Sequence, residues 1–178
     1  QIQHVSGDLT DHYDPKKKVL RLSDTVYGST SVAAIGVAAH ECGHALQHNE
    51  GYGPLKLRAF LVPAANLGSK LGLPLVILGL ALGLSFELPG GGYFSLAHIG
   101  IWVFSLAVLF QVVTLPVEFN ASGRALRMLG DYGIMNNDEV DDCKHVLGAA
   151  ALTYVAAAAS SILQLLRLVF LSNRRRRD

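Results

Sequence analysis

Residues 38–48 read AAHECGHALQH. His40 and His44 stand four apart, with Glu41 directly after the first. On a helix that spacing puts both imidazoles on one face about one turn apart, so their nitrogens can converge on one ion. Glu41 projects roughly 100° around the helix from His40. It is placed to polarise a water at the ion and not to bind the ion itself. This is the H-E-x-x-H arrangement of zinc metalloproteases. With 7 His and 5 Glu in 178 residues, chance supplies such a match in roughly 1% of chains of this composition. The bland alternative, two core histidines bonded to backbone, fits the surroundings less well than a metal.

Those surroundings predict a buried helix over 31–49. Gly28, Ser29, Thr30 and Ser31 offer N-cap candidates, and residues 32–46 contain no Pro and only two Gly. The face before the motif is almost all Ala, Val and Ile. Cys42 falls between the histidine positions and reads as a small packed residue, not as a ligand.

The whole chain is too apolar for an ordinary soluble domain of its length: 51% hydrophobic, 16% charged, mean hydropathy +0.34. A net charge of +1 excludes a general nucleic-acid binder. The dense basic cluster is at residues 174–177, and two cysteines make no disulfide framework. The chain opens on Gln1 without an initiator Met, so an upstream segment is expected.

Residues 1–30 read as a soluble, β-rich segment with a short hairpin. Asp14-Pro15 signals a turn, and a branched-apolar run follows at Val19–Leu22. That run is either an ordinary edge strand or a strand that pairs with an extended substrate. Three uncharged or nearly uncharged runs, at about 67–86, 96–115 and 148–171, are long enough to span a bilayer. The sequence ELPGGGY between the first two marks a tight reversal. A polar connector, 116–147, separates the second and third, and its NNDEVDD stretch reads as a solvated helix start. The expected fold is mainly α: multi-pass membrane helices joined to a small zincin-like layer with an N-terminal β-hairpin and the motif helix, in one domain over 1–178.

A catalytic zinc takes three protein ligands and leaves one position open. If the first two spans run antiparallel, the chain leaving residue 115 returns to the membrane face where the motif helix lies. Glu118 is the first carboxylate met there, just beyond Pro116 where a helix is expected to start. His48 continues the series at four-residue steps, but from His40 it lies ~12 Å along the axis and ~80° around. A zinc–nitrogen bond is only ~2.0–2.1 Å, so one ion cannot reach all three imidazoles of an unbroken helix. His48 reads instead as a favourable charge at the helix C-terminus.

The stretches LTDHYDP, LRLSDTVYGSTSVAAIGVAAHECGHALQH, LPVEFNASGRAL and AAALTYVAAA resemble the YugP-like membrane zinc metallopeptidases of bacteria. The resemblance covers the chain from its start to the third span. It implies a multi-pass membrane protein with one zinc per chain at His40, His44 and Glu118, and Glu41 as base. It also implies a further membrane helix upstream of Gln1. More distantly the plan is similar to HtpX-like peptidases, where an acidic residue often stands four places after the ligand Glu; here that place holds Ser122.

The function expected is peptide-bond hydrolysis by a zinc-bound water activated by Glu41, on a peptide or membrane-protein substrate at a lipid bilayer. Candidates for the oxyanion donor are Tyr154, in the third span, and His145, near its start; a helix–helix hydrogen bond is the other role open to Tyr154. Arg124 either orients a carboxylate, binds a substrate carbonyl or is a surface charge. Rival classes are a zinc sensor or transporter, and a scaffold with a dead site. Six basic residues (Lys56, Arg58, Lys70, Arg124, Arg127 and Lys144) flank the spans on the expected site face, against four in the tail. The positive-inside rule then puts the site on the cytoplasmic face of the cell membrane. Nothing in the sequence fixes the oligomeric state.

Overall fold

The computed structural model of the chain describes residues 1–87, 89 and 93–174. Residues 88 and 90–92 of the expected reversal, and 175–177 of the basic cluster, lie outside the described residues. The chain is mainly helical: α1 (Val32–Asn49), α2 (Gly53–Leu82), α3 (Leu96–Asp131) and α4 (Asn137–Arg174). Among the described residues there are also five short strands: β1 (Ile2–His4), β2 (His12–Asp14), β3 (Val19–Leu22), β4 (Ser85–Glu87) and β5 (Tyr93–Ser95). Two compact units divide it, Gln1–Lys56 with Leu115–Thr153, and Leu57–Thr114 with Tyr154–Asp178.

In the first unit the strands form a sheet in the order β1-β3-β2. β2 and β3 are the expected hairpin, antiparallel, and β1 adds to β3 in parallel. Val19–Leu22 is therefore the central strand. Neither edge-strand reading holds for it, because β1 and β2 take both of its edges. Asp11 fastens the chain before β2 to the end of β3, accepting from the Ser23 backbone N–H and hydroxyl, both at 2.8 Å.

Ser31 is the cap that α1 uses: its hydroxyl accepts from the Ala34 N–H at 3.2 Å. Asn136 and Glu139 form a capping box at the start of α4, each side chain accepting from the other's backbone N–H. The acidic stretch is thus a helix start, as its composition suggests. A helix start beyond Pro116 does not occur. α3 runs through Pro116 without a break, the tolerance that apolar membrane helices show for a missing backbone donor. The core joins Ala39 of α1, Ala125 and Leu129 of α3, Met135, and Cys143 and Leu147 of α4.

The second unit is built by close helix approach. A side chain at Gly68 would meet the Val103 carbonyl and Ala107, one at Gly72 would meet Phe104, and one at Gly79 would meet Ala97. Small residues of this kind let membrane helices pack backbone to backbone. Val76, Ala97 and Leu168 are the buried centre. α2, α3 and α4 are each long and apolar enough to cross a membrane. β4 and β5 form a separate antiparallel pair.

Gly43 does the same in the first unit, since a Cβ there would collide with the Ala121 backbone of α3. Gly43→Ala should therefore destabilise the protein by about 1–3 kcal/mol. Gly123→Ala, whose Cβ would enter open space, should be neutral or stabilising. Thermal unfolding of the two detergent-solubilised variants makes the comparison.

Candidate metal centre

α1 carries two deeply buried polar residues, Glu41 and Gln47, on its packed side. Gln47 reaches His44, and Glu41 reaches the strand β2. His40, His44 and Glu118 each offer one ligand atom, and the three atoms lie within 4.8 Å of one another. Glu118 is 2% exposed; its Oε2 lies 3.2 Å from His40 Nε2 and 3.6 Å from His44 Nε2. The rings of His40 and His44 meet edge to face, centroids 4.7 Å apart. The residues that the sequence selects as ligands are those the fold brings together.

The protons on the far sides of the rings decide whether this group fits a cation. Gln47 Nε2 donates to the Val117 carbonyl at 2.8 Å and to Asn120 Oδ1 at 2.9 Å. A carbonyl accepts only, so Gln47 is held with Oε1 toward His44 Nδ1, at 3.0 Å. His44 Nδ1 must then carry the proton, and Nε2 turns its lone pair toward His40 and Glu118. Ser122 Oγ lies 3.0 Å from His40 Nδ1. The serine in the place of an acidic residue thus supports the first histidine directly. Two imidazole nitrogens and a carboxylate oxygen converging at this distance suit zinc.

A wider set of contacts holds Gln47 in turn. Asn120 Oδ1 also accepts from Arg124 Nε at 2.8 Å, and Arg124 Nη2 pairs with Glu50 at 2.7 Å. Arg124 therefore does orient a carboxylate, that of Glu50 just beyond α1. Sequence reasoning missed Gln47 and Asn120. Gln47 is three residues after His44 on the same helix, one turn on, and that spacing was the available signal.

Glu41 is 8% exposed, and its Oε2 accepts from the Tyr13 N–H of β2 at 2.8 Å. Tyr13 also places its hydroxyl 2.9 Å from His48 Nδ1. His48 is spent on β2 and is no member of the convergent group. Cys42 is half-buried, and burial with the Glu41 charge raises its thiol pKa. His145 is exposed on α4 and lies outside the convergent group; Tyr154, half-buried on α4, belongs to the second unit.

Burial disfavours the charged form of His44, but the hydrogen bond and charge of Glu118 outweigh it and raise the pKa above the ordinary histidine value. The metal-free fold thus gains stability from this proton below the ordinary value and loses it as pH rises through the raised one. A metal has to displace that proton, so affinity should rise with pH over the same range. Gln47→Met, which keeps the length of the side chain but removes the acceptor, should weaken zinc binding about 10- to 100-fold in competition against a chelator.

A family model described as "Putative neutral zinc metallopeptidase" matches residues 1–173. Over 175 residues the chain is 49% identical to the "Putative membrane protease YugP" of Bacillus subtilis (strain 168), covering 97% of this chain and 74% of that protein. No solved structure matches the chain. The match takes in the motif helix, the α3 segment bearing Glu118 and the three apolar helices, which fits membrane association. The chain belongs to the neutral zinc metallopeptidase family that this model describes.

Proposed function

We propose that this protein is a zinc-dependent membrane endopeptidase, with His40, His44 and Glu118 holding one zinc ion and Glu41 as general base. The observation that carries the reading is the convergence of those three ligand atoms within 4.8 Å, with His44 fixed by Gln47 in the tautomer a metal needs. In this reading the sheet and α1 are the zincin-like layer, in one metallopeptidase domain over 1–178. The bound ion supplies Lewis acidity at the scissile carbonyl.

The protein's own residues do the rest. Tyr13 N–H occupies Glu41 Oε2, which leaves Oε1 to take a proton from the attacking water and return it to the leaving amine. Glu41 follows His40 on the helix and points away from the ligand face, so it moves protons without joining the ligands. Ser122 and Gln47 keep the two rings aimed, and the Arg124–Glu50 pair keeps the end of α1 against α3.

The substrate class is a peptide or a segment of a membrane protein, at the bilayer. α2, α3 and α4 are taken as three crossings. Of the six basic residues counted from the sequence, Lys56, Arg58, Arg124, Arg127 and Lys144 stand toward the connector ends of these helices and Lys70 lies farther inside α2, a balance that favours a cytoplasmic site by the positive-inside rule.

Glu41→Gln should retain stoichiometric zinc and lose peptide hydrolysis by several orders of magnitude. Glu118→Ala should lose zinc, whereas His48→Ala should keep it. Metal analysis of the purified variants with a peptide-cleavage assay separates a peptidase from a zinc-binding protein that does not cleave. For orientation, a cysteine at Asn136, with Cys42 and Cys143 replaced by Ala, should resist a membrane-impermeant thiol reagent in intact cells.

A further inference from the structure

Lys70 lies in the second unit, inside α2, twelve residues from Arg58 and twelve from the helix end at Leu82. At 1.5 Å per residue that is about 18 Å in either direction. The packing of α2 on α3 gives the same depth. Gly68 sits against Val103 and Ala107, and Gly72 against Phe104, at the middle of the uncharged α3 run 96–117. Lys70 is thus near the midplane of a crossing helix. It does not flank the span, as its place in the sequence suggests.

The buried face of α2 is Leu61, Ala65, Gly68, Gly72, Val76 and Gly79. Lys70 stands about 200° from Gly68, on the opposite side. It is exposed, and so are Asn66 and Pro74, one turn before and after it. Pro74 has no N–H to give the Lys70 carbonyl, so the same spot carries a cation and a backbone acceptor. Among the described residues Lys70 makes no ion pair. Its stem reaches about 6 Å, short of the ~15 Å from midplane to headgroups. A lone ammonium facing lipid at this depth is costly and marks a place that something polar covers.

We propose that the outward face of α2 at Lys70 docks a membrane helix of another protein that carries a carboxylate near its midpoint. Charge complementarity selects this occupant. The three long helices of a second copy do not supply it: residues 59–86, 96–117 and 145–173 contain no Asp or Glu.

The test uses the chain reconstituted in lipid nanodiscs with a fluorescent Leu-rich membrane-spanning host peptide bearing Glu, Gln or Leu at its centre. Energy transfer should report about tenfold tighter association of the Glu peptide than of the Leu peptide, the order expected of interhelical polar pairs. Lys70→Leu should abolish the difference, and Lys70→Glu should shift the preference to a Lys-centred peptide. Three results would overturn the proposal: equal binding of the Glu and Leu peptides, equal binding of Glu and Gln, or a Glu preference that survives Lys70→Leu. Self-association of the chain without peptide, lost in Lys70→Leu, would make the occupant a second copy and would also overturn it.

Discussion

At Gly43 a side chain of any kind would collide with the Ala121 backbone, and the arrangement of the first unit follows from that absence. With hydrogen at the position, α1 lies directly on α3, one residue from the motif's second histidine and three residues from Glu118. The carboxylate is then buried between two imidazoles, and Gln47 reaches across to Val117 and Asn120. Any residue with a Cβ would hold the helices apart by more than a hydrogen bond tolerates. His44 Nε2 and the Glu118 carboxylate face each other lone pair to lone pair, which is unfavourable where nothing stands between them. A proton on His44 relieves that in the metal-free protein, and a divalent cation relieves it more fully.

The same device, small residues at helix crossings, serves a different end in the second unit. There Gly68, Gly72, Gly79 and Gly100 replace large apolar contacts with backbone proximity, which suits helices whose outer faces meet lipid. The first unit instead invests in buried hydrogen bonds. Along one line of contacts each polar group has a partner whose donor or acceptor character fixes the next, from Glu50 through Arg124, Asn120 and Gln47 to His44. Such a chain holds ring orientation against the pull of a bound ion.

Much of this was legible in the sequence because it is local or compositional. His40, Glu41 and His44 share one helical segment, so their spacing is also their geometry. Three long apolar runs announce themselves by hydropathy. Glu118 could be singled out because two antiparallel spans, if they cross, would return the chain to the face of the motif helix, an expectation that needs no side-chain detail. What escaped depends on register between distant segments. Tyr13 N–H on Glu41 requires the position of a three-residue strand, too short to show periodicity. The parallel addition of β1 has the same cause. Pro116 was misread as a helix boundary because Pro ordinarily breaks a water-exposed helix, a rule that an apolar helix suspends. Asn120 and Arg124 fall into place only once α3 is known to run through that proline.

The central claim is the composition of the metal's ligand shell, and X-ray absorption at the zinc edge of the purified, zinc-loaded protein tests it most directly. The account predicts a shell of nitrogen and oxygen at about 2.0–2.1 Å, with multiple-scattering features of two imidazoles and no sulfur. A sulfur scatterer at about 2.3 Å, which would bring in Cys42, or the signature of a third imidazole, which would bring in His48, would contradict it.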